Sequence, residues 1–208
     1  SRETNSPIEK VIPVLMPVHD VHAATNQDTA TARGTELCAA LGLKPVLLDI
    51  TQAHRTTKSL VDTAMQISGQ NWASGQLVAT HRTPALYYIT SLLSQQGKPA
   101  VLVGTTNYDE GAYLGYFGKA SDGLVDLQPI SDLHKAEVYA VSAHLGVPPS
   151  ILHAVPTGDM YDGRVDEEVF GASYDFVELY LRMKRDPHLA DEVTAMDPIS
   201  RDVFSKLW

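Results

Sequence analysis

Short apolar runs alternate with longer amphipathic segments over the first half of the chain. The runs at 11–18, 44–50 and 100–103 predict strands. The run at 100–103 is typical of a strand buried on both faces, and Pro13 and Pro17 should make the first strand irregular or short. Polar residues and segments with helical spacing separate these runs. The alternation predicts right-handed strand-helix-strand units, and therefore a parallel sheet.

Apolar residues at helical spacing predict the helices. We predict four of them, over 51–64, 75–96, 134–145 and 174–184. A further helix follows a polar loop and should be capped by Asn26, Asp28 or Thr29. Because Pro84 falls inside the second of the four, that helix should kink there or begin there.

A ligand-binding loop is predicted over 104–135. The run at 100–103 is followed by a series of small hydroxyl, amide and acidic side chains, and ligands bind at this end of strands in open α/β sheets. The series is Thr105, Thr106, Asn107, Asp109 and Glu110. The connection that follows is long and glycine-rich, and ordered loops of this length usually bind ligands or close over them.

Composition restricts the class of protein. With 208 residues and 44% hydrophobic content, the chain can bury one core, so we expect one domain. The formal net charge of −9 and the lack of a Lys/Arg block argue against nucleic acid as a partner. No apolar run is long enough for a bilayer, and the single Cys38 favours a reducing cytoplasm.

Several motifs occur in the order GTTNYDE, GYFGK, SDGLVDLQPI, HK, PTGDM and VDEEVFGASY. This order resembles the synthetase part of the NAD synthetase family over about residues 11–181, and the full set in sequence is a strong signal. The resemblance implies one α/β domain over 1–208, a three-layer sandwich with a twisted parallel sheet of the adenine nucleotide α-hydrolase type.

The activity implied by the resemblance is that of a ligase that forms a C–N bond. ATP would adenylate the carboxylate of deamido-NAD (nicotinic acid adenine dinucleotide), and ammonia would then displace AMP to give NAD, with pyrophosphate as the other product. Such chemistry needs Mg²⁺ on carboxylate and phosphate oxygens and a cation on the remaining charge. The family pattern also implies a cytoplasmic homodimer.

Carried over position by position, the resemblance assigns the site residues. Asp122 and Lys135 would be catalytic, and Glu110 and Thr157 would bind the metal. The ATP-binding residues would be Arg82, Thr105, Lys135 and Thr157. The substrate-binding residues would be Tyr87, Tyr116, Lys119, Asp122 and Asp126.

Two features leave alternatives open. The family's S-G-G-x-D-S phosphate loop has no counterpart in this sequence, so we expect a chain truncated at its N-terminus. The alternatives are another ATP pyrophosphatase or amidoligase acting on a different carboxylate, and a non-catalytic dimerising relative. The sequence also lacks a glutaminase Cys, Glu and Lys set, so use of glutamine would require a glutaminase domain or subunit.

Overall fold

The computed structural model describes residues 11–19, 24–158, 163–186, 188–189 and 191. Predictions that concern the N-terminal segment 1–10, Asp159 and Met160 of PTGDM, and the tail from 192 lie outside these residues. The chain forms two compact units, one made of 1–100, 145–154 and 159–163, the other of 101–144, 155–158 and 164–208. One domain over 1–208 stays a prediction.

The first unit contains the predicted parallel strand pair. Strand β1 (Val14–Leu15) pairs in parallel with β2 (Val46–Leu47). Both strands are shorter than the apolar runs because Pro13 and Pro17 have no N–H to donate to a ladder. Their carbonyls still accept hydrogen bonds from Val46 N at 2.8 Å and Ile50 N at 3.2 Å, so the backbones stay paired beyond the strands.

Helix α1 (Ala24–Ala40) begins earlier than predicted. Asn26, Asp28 and Thr29 lie inside it, so the prediction that one of them caps the helix was wrong. The helix lies close to β1, since a Cβ added to Gly34 would come within 2.7 Å of a methyl group of Leu15. Glycine at this position therefore permits the close approach.

Helices α2 (Thr51–Met65) and α3 (Asn71–Gln95) pack against one another. The bounds of α2 confirm the prediction. Helix α3 begins well before Pro84 and continues past it, so the prediction that the helix starts there was wrong. A proline removes one N–H from a helix, and a helix of 25 residues retains enough other hydrogen bonds to continue past it.

A small core stabilises this unit. Val18, Ile50 and Val78 are buried together, and Met16 and Leu48 pack against them. Helix α5 (Pro149–Leu152) also belongs to the unit.

The second unit carries the predicted binding loop. The run at 100–103 forms only one parallel bridge, between Val103 and Leu127, so the prediction of a full strand there was wrong in extent. After it come a π-helix (Asp109–Leu114), α4 (Lys135–His144), α6 (Asp166–Phe170) and α7 (Tyr174–Arg185). Helices α4 and α7 fall on segments with apolar residues at helical spacing, and α6 begins at the acidic pair of the VDEEVF segment.

Helix α7 supplies the core of the second unit. Val177 and Leu181 are buried against Ala172, with Tyr108 and Leu114 packed around them. The Ser173 hydroxyl caps the helix by accepting a hydrogen bond from Phe176 N at 3.3 Å. This packing places the first turn of α7 beside the π-helix. Within the described residues, no helix is both long and apolar enough to cross a membrane.

Candidate active site

Glu110 and Lys135 form the centre of the candidate site. The Lys135 Nζ atom donates to Glu110 Oε1 at 2.9 Å, and the two side chains are 19% and 18% exposed. Glu110 lies in the first turn of the π-helix, where its N–H donates to the Asn107 side chain at 3.0 Å. The turn ends at Gly115, whose φ of +63° is the left-handed conformation that glycine adopts without strain. Helices of this type are frequent at functional sites.

Tyr174 links this ion pair to a second carboxylate. Its hydroxyl lies 2.9 Å from Glu110 Oε1 and 2.8 Å from Asp166 Oδ2, and its ring lies 4.9 Å from Lys135 Nζ. The Glu167 carboxylate fixes the backbone of Tyr174 by accepting its N–H at 2.9 Å. The aromatic hydroxyl therefore connects α6, α7 and the π-helix at one point.

The hydroxyl of Tyr174 has one hydrogen and two carboxylate neighbours. Burial, followed by the charge of Glu110, raises the pKa of Tyr174 above its ordinary value, so the phenol keeps its proton. Burial also raises the pKa of Asp166, whose side chain lies almost wholly inside the protein. The single hydroxyl hydrogen of Tyr174 can be donated to only one of the two carboxylate oxygens at a time.

This arrangement makes stability depend on pH in a defined direction. A raised pKa means that the fold favours neutral Asp166, so its stabilising contribution is complete below the ordinary pKa of 3.8 and is lost as pH rises through the folded-state pKa. We expect the free energy of unfolding of the wild type, relative to Asp166→Asn, to fall as the pH rises from below the ordinary pKa of 3.8 to well above it. Urea titrations of both proteins measure it, with exposed Asp132→Asn as control. A difference that stays flat across this range would contradict the assignment.

An aromatic row extends from Tyr174. Its ring meets Phe170 edge-on at a centroid distance of 5.4 Å, and Phe170 meets Tyr116 at 5.0 Å. Tyr116, a predicted substrate residue, thus belongs to the same cluster as the ion pair.

The remaining predicted residues of this unit occupy the surrounding loops. Thr157 donates to Arg164 O at 2.9 Å and pairs with Val165, next to Asp166. Asp122 accepts from Gly118 N at 3.2 Å and holds its own loop. Asp126 accepts from Leu102 N at 2.7 Å, a structural role that the sequence did not indicate. Thr105 and Lys119 are exposed.

Two predicted residues belong to the first unit. Arg82, on α3, donates to the side-chain oxygen of Gln27 at 3.0 Å. Tyr87, one turn further along α3, is half-buried, whereas the adjacent Tyr88 is exposed.

Sequence reasoning did not find the roles of Asp109, His134 and the Tyr174 hydroxyl. Asp109 and His134 lie directly before Glu110 and Lys135, and their side chains meet at 2.7 Å. The one signal in the sequence was this adjacency. An ionisable residue beside each member of a predicted pair is typical of a supporting contact.

The geometry has a definite chemical capacity. A carboxylate and an ammonium group, both partly exposed, stand beside a π-helix and the start of α4. Carboxylate oxygens bind divalent cations and ammonium groups bind phosphate, so the pair suits a phosphate ester with its metal.

Solved structures identify the fold. The chain matches the NMN synthetase from Francisella tularensis with a TM-score of 0.72 and 23% identity, over 93% of this chain and 71% of that one. It matches the NH3-dependent NAD synthetase from Campylobacter jejuni with a TM-score of 0.61 and 20% identity, over 96% and 73%. The fold is therefore the predicted α/β fold of the adenine nucleotide α-hydrolase type.

Sequence comparisons define the family. The NAD synthase family model matches residues 6–208. An NH(3)-dependent NAD(+) synthetase from Methanococcoides burtonii is 33% identical over 187 residues, which is 88% of this chain. The chain belongs to the NAD synthase family, which confirms the resemblance seen in the sequence. It spans 64% of the length of the Methanococcoides protein.

Proposed function

We propose that this chain carries the synthetase site of an ammonia-dependent NAD synthetase, a ligase that forms a C–N bond. The reaction is the ATP-dependent amidation of deamido-NAD to NAD through an adenylated carboxylate, with release of AMP and pyrophosphate. The observation that carries the proposal is the 2.9 Å contact between Glu110 and Lys135 in a chain of the NAD synthase family. The two residues lie in two of the sequence motifs that resemble those of this family.

The chemistry explains why such a pair is needed. Ammonia does not displace oxide from a carboxylate, so the carboxylate first attacks the α-phosphate of ATP and pyrophosphate leaves. Negative charge then accumulates on phosphate oxygens, and the Lys135 ammonium is the group that neutralises it. Catalysis consists mainly of positioning the two substrates and of stabilising this charge.

The residues fit magnesium as the accompanying cation. Within the described residues, both contacts of the Glu110 carboxylate fall on Oε1, which leaves Oε2 for a metal. The described part of the chain has no cluster of three or more His, Cys, Asp or Glu that would hold a metal alone. Magnesium suits this situation because it takes few carboxylates and uses phosphate oxygens and water for the rest. Glu110 and Thr157 would hold it, and when bound it would withdraw charge from the phosphates.

The other assignments follow the family motifs. Asp122, exposed at the tip of its loop, would accept a proton from the attacking nitrogen, since a carboxylate is the base available there. The rest of the substrate-binding set would be Tyr87, Tyr116, Lys119 and Asp126, and the rest of the ATP-binding set would be Arg82 and Thr105.

Ammonia is the proposed nitrogen donor. The Methanococcoides and Campylobacter relatives bear names that specify NH3 dependence. Use of glutamine would require a glutaminase domain or subunit.

A homodimer in the cytoplasm is also proposed. Large apolar side chains are exposed on α2, α3 and the turn between them, and burial in a second copy would remove them from water. They include Leu60, Met65, Ile67, Trp72 and Tyr88. A single monomeric species in sedimentation velocity would contradict the dimer, and recovery from a membrane or secreted fraction would contradict the location.

The test of the proposal is formation of NAD by the full-length protein. Supplied with ATP, Mg²⁺, deamido-NAD and ammonium, the protein should form NAD, AMP and pyrophosphate in equal amounts. Nicotinic acid mononucleotide, tested in parallel, should be a poor substrate. Amidation of nicotinic acid mononucleotide but not of deamido-NAD would refute deamido-NAD as the substrate. Cleavage of ATP without amidation of either compound would also refute it, in favour of a different carboxylate. The absence of any nucleotide turnover would favour a non-catalytic relative.

A further inference from the structure

Three more contacts lie beside the central ion pair and join the same two segments. Tyr108 N donates to Leu133 O at 2.9 Å. One oxygen of the Asp109 carboxylate lies 2.7 Å from His134 Nδ1, and the other accepts from Lys135 N at 2.7 Å. With the ion pair, these contacts form a ladder of hydrogen bonds between 108–110 and 133–135.

Asp109 is the only carboxylate in this ladder that is fully buried. Its side chain has no exposed area, whereas His134 is 10% exposed. A buried carboxylate costs stability unless hydrogen bonds and favourable charges offset its loss of hydration. Here the His134 imidazole and the Lys135 N–H supply the hydrogen bonds, and the positive end of α4 supplies the favourable charge.

Lys135 is the first residue of α4, so its N–H has no partner within the helix. Asp109 supplies that partner and so fixes the backbone from which the Lys135 side chain extends. The same carboxylate belongs to the residue before Glu110. Asp109 therefore ties together the backbones of both members of the ion pair.

His134 makes the tie rigid. Its ring packs edge-on against Tyr108 at a centroid distance of 5.2 Å. Its backbone N–H donates to the Glu137 carboxylate at 2.8 Å. The imidazole is thus held on one side by an aromatic ring and on the other by the buried carboxylate.

We infer that Asp109 is a positioning residue: it sets the start of α4 so that the Lys135 ammonium meets ATP in a fixed geometry. The inference rests on the proposed function for its catalytic consequence. Supporting contacts of this kind commonly change activity by about 10- to 100-fold. Asp109 itself touches no substrate in this scheme and acts through Lys135.

The first part of the test does not depend on activity. Hydrogen exchange of the Lys135 amide reports directly on its bond to Asp109. Asp109→Ala should speed this exchange by about tenfold or more, because among the described residues Asp109 is the acceptor that protects the amide. Asp109→Asn should leave it slow, since an amide oxygen can still accept a hydrogen bond from Lys135 N. Asp132→Ala, at an exposed position three residues before Lys135, is the matched control and should leave it slow.

The second part measures kinetics in a double-mutant cycle. In the full-length protein, Asp109→Ala should lower kcat by about 10- to 100-fold with little change in KM for deamido-NAD. In a Lys135→Met background the same change should have almost no further effect, because the group that it positions is gone. Asp109→Asn should retain kcat to within about threefold.

Each outcome bears on the inference. Equal losses from Asp109→Ala with and without Lys135 would mean that Asp109 acts on the fold and would overturn it. A large loss of kcat in Asp109→Asn with a slow Lys135 amide would overturn it too, because charge and not position would then matter; this variant remains informative if Asp109→Ala does not fold. An unchanged kcat in Lys135→Met alone would also overturn the inference, because Lys135 would then not be the group that Asp109 positions for catalysis. Absence of NAD formation by the wild type would instead refute the proposed function, while the exchange data would still decide whether Asp109 fixes the helix start.

Discussion

Replacing Lys135 with methionine should reduce kcat/KM for ATP-dependent NAD formation by about 10²- to 10³-fold. That range is typical for removal of one preorganised group that stabilises developing charge. Lys135 contacts Glu110 and lies over the Tyr174 ring, and methionine keeps most of its length while removing the charge.

The control for this change is Lys98→Met. Lys98 is exposed after the end of α3, and its side chain has no predicted role, so activity should stay within about threefold of the wild type. Steady-state assays over a range of ATP concentrations measure both variants. If Lys135→Met retained the activity of Lys98→Met, Lys135 would not act on ATP.

Replacing Glu110 with glutamine should reduce kcat/KM by about 10²-fold and increase the Mg²⁺ concentration needed for half-maximal activity. Glutamine keeps the shape of the side chain and an oxygen that can accept from Tyr174, so the change removes charge with little change in packing. A neutral amide is a poor ligand for Mg²⁺, and Lys135 would lose its partner.

Glu36→Gln provides the comparison for Glu110→Gln. Glu36 is exposed on α1, and its loss of charge should leave both activity and magnesium dependence as in the wild type. Titrations of activity against Mg²⁺ distinguish the two variants. An unaltered magnesium dependence in Glu110→Gln would remove Glu110 from the proposed metal site.

Local pattern predicted the helices because their stability depends on one apolar face. The spacing of Val177 and Leu181 predicted α7, and both residues are buried in its core. The apolar pattern failed to predict the length of a strand where another group took up the hydrogen bonds of its backbone. The carboxylate of Asp126 accepts the N–H of Leu102, which a longer strand at 100–103 would have donated to a neighbouring strand. The short first strand, by contrast, was expected from Pro13 and Pro17.

The candidate site, too, could be predicted from the sequence only in part. Motif order predicted Glu110 and Lys135 as site residues, since both lie in segments that resemble the family's motifs. Their contact, across 25 positions, depends on a buried Asp109 and on the π-helix, and neither is visible in local periodicity. The Tyr174 hydroxyl was missed for a similar reason. A tyrosine at core spacing reads as packing, and its two carboxylate partners are known only after folding.

Transfer of oxygen from the substrate carboxylate to AMP is the most direct test of the central claim, that this site serves adenylation of a nicotinate carboxylate. Deamido-NAD labelled with ¹⁸O in that carboxylate would be incubated with the full-length protein, ATP, Mg²⁺ and ammonium. The account predicts that mass spectrometry finds one label in AMP and the other in the amide of NAD. Label in inorganic phosphate, together with ADP, would show attack at the γ-phosphate and would contradict the account.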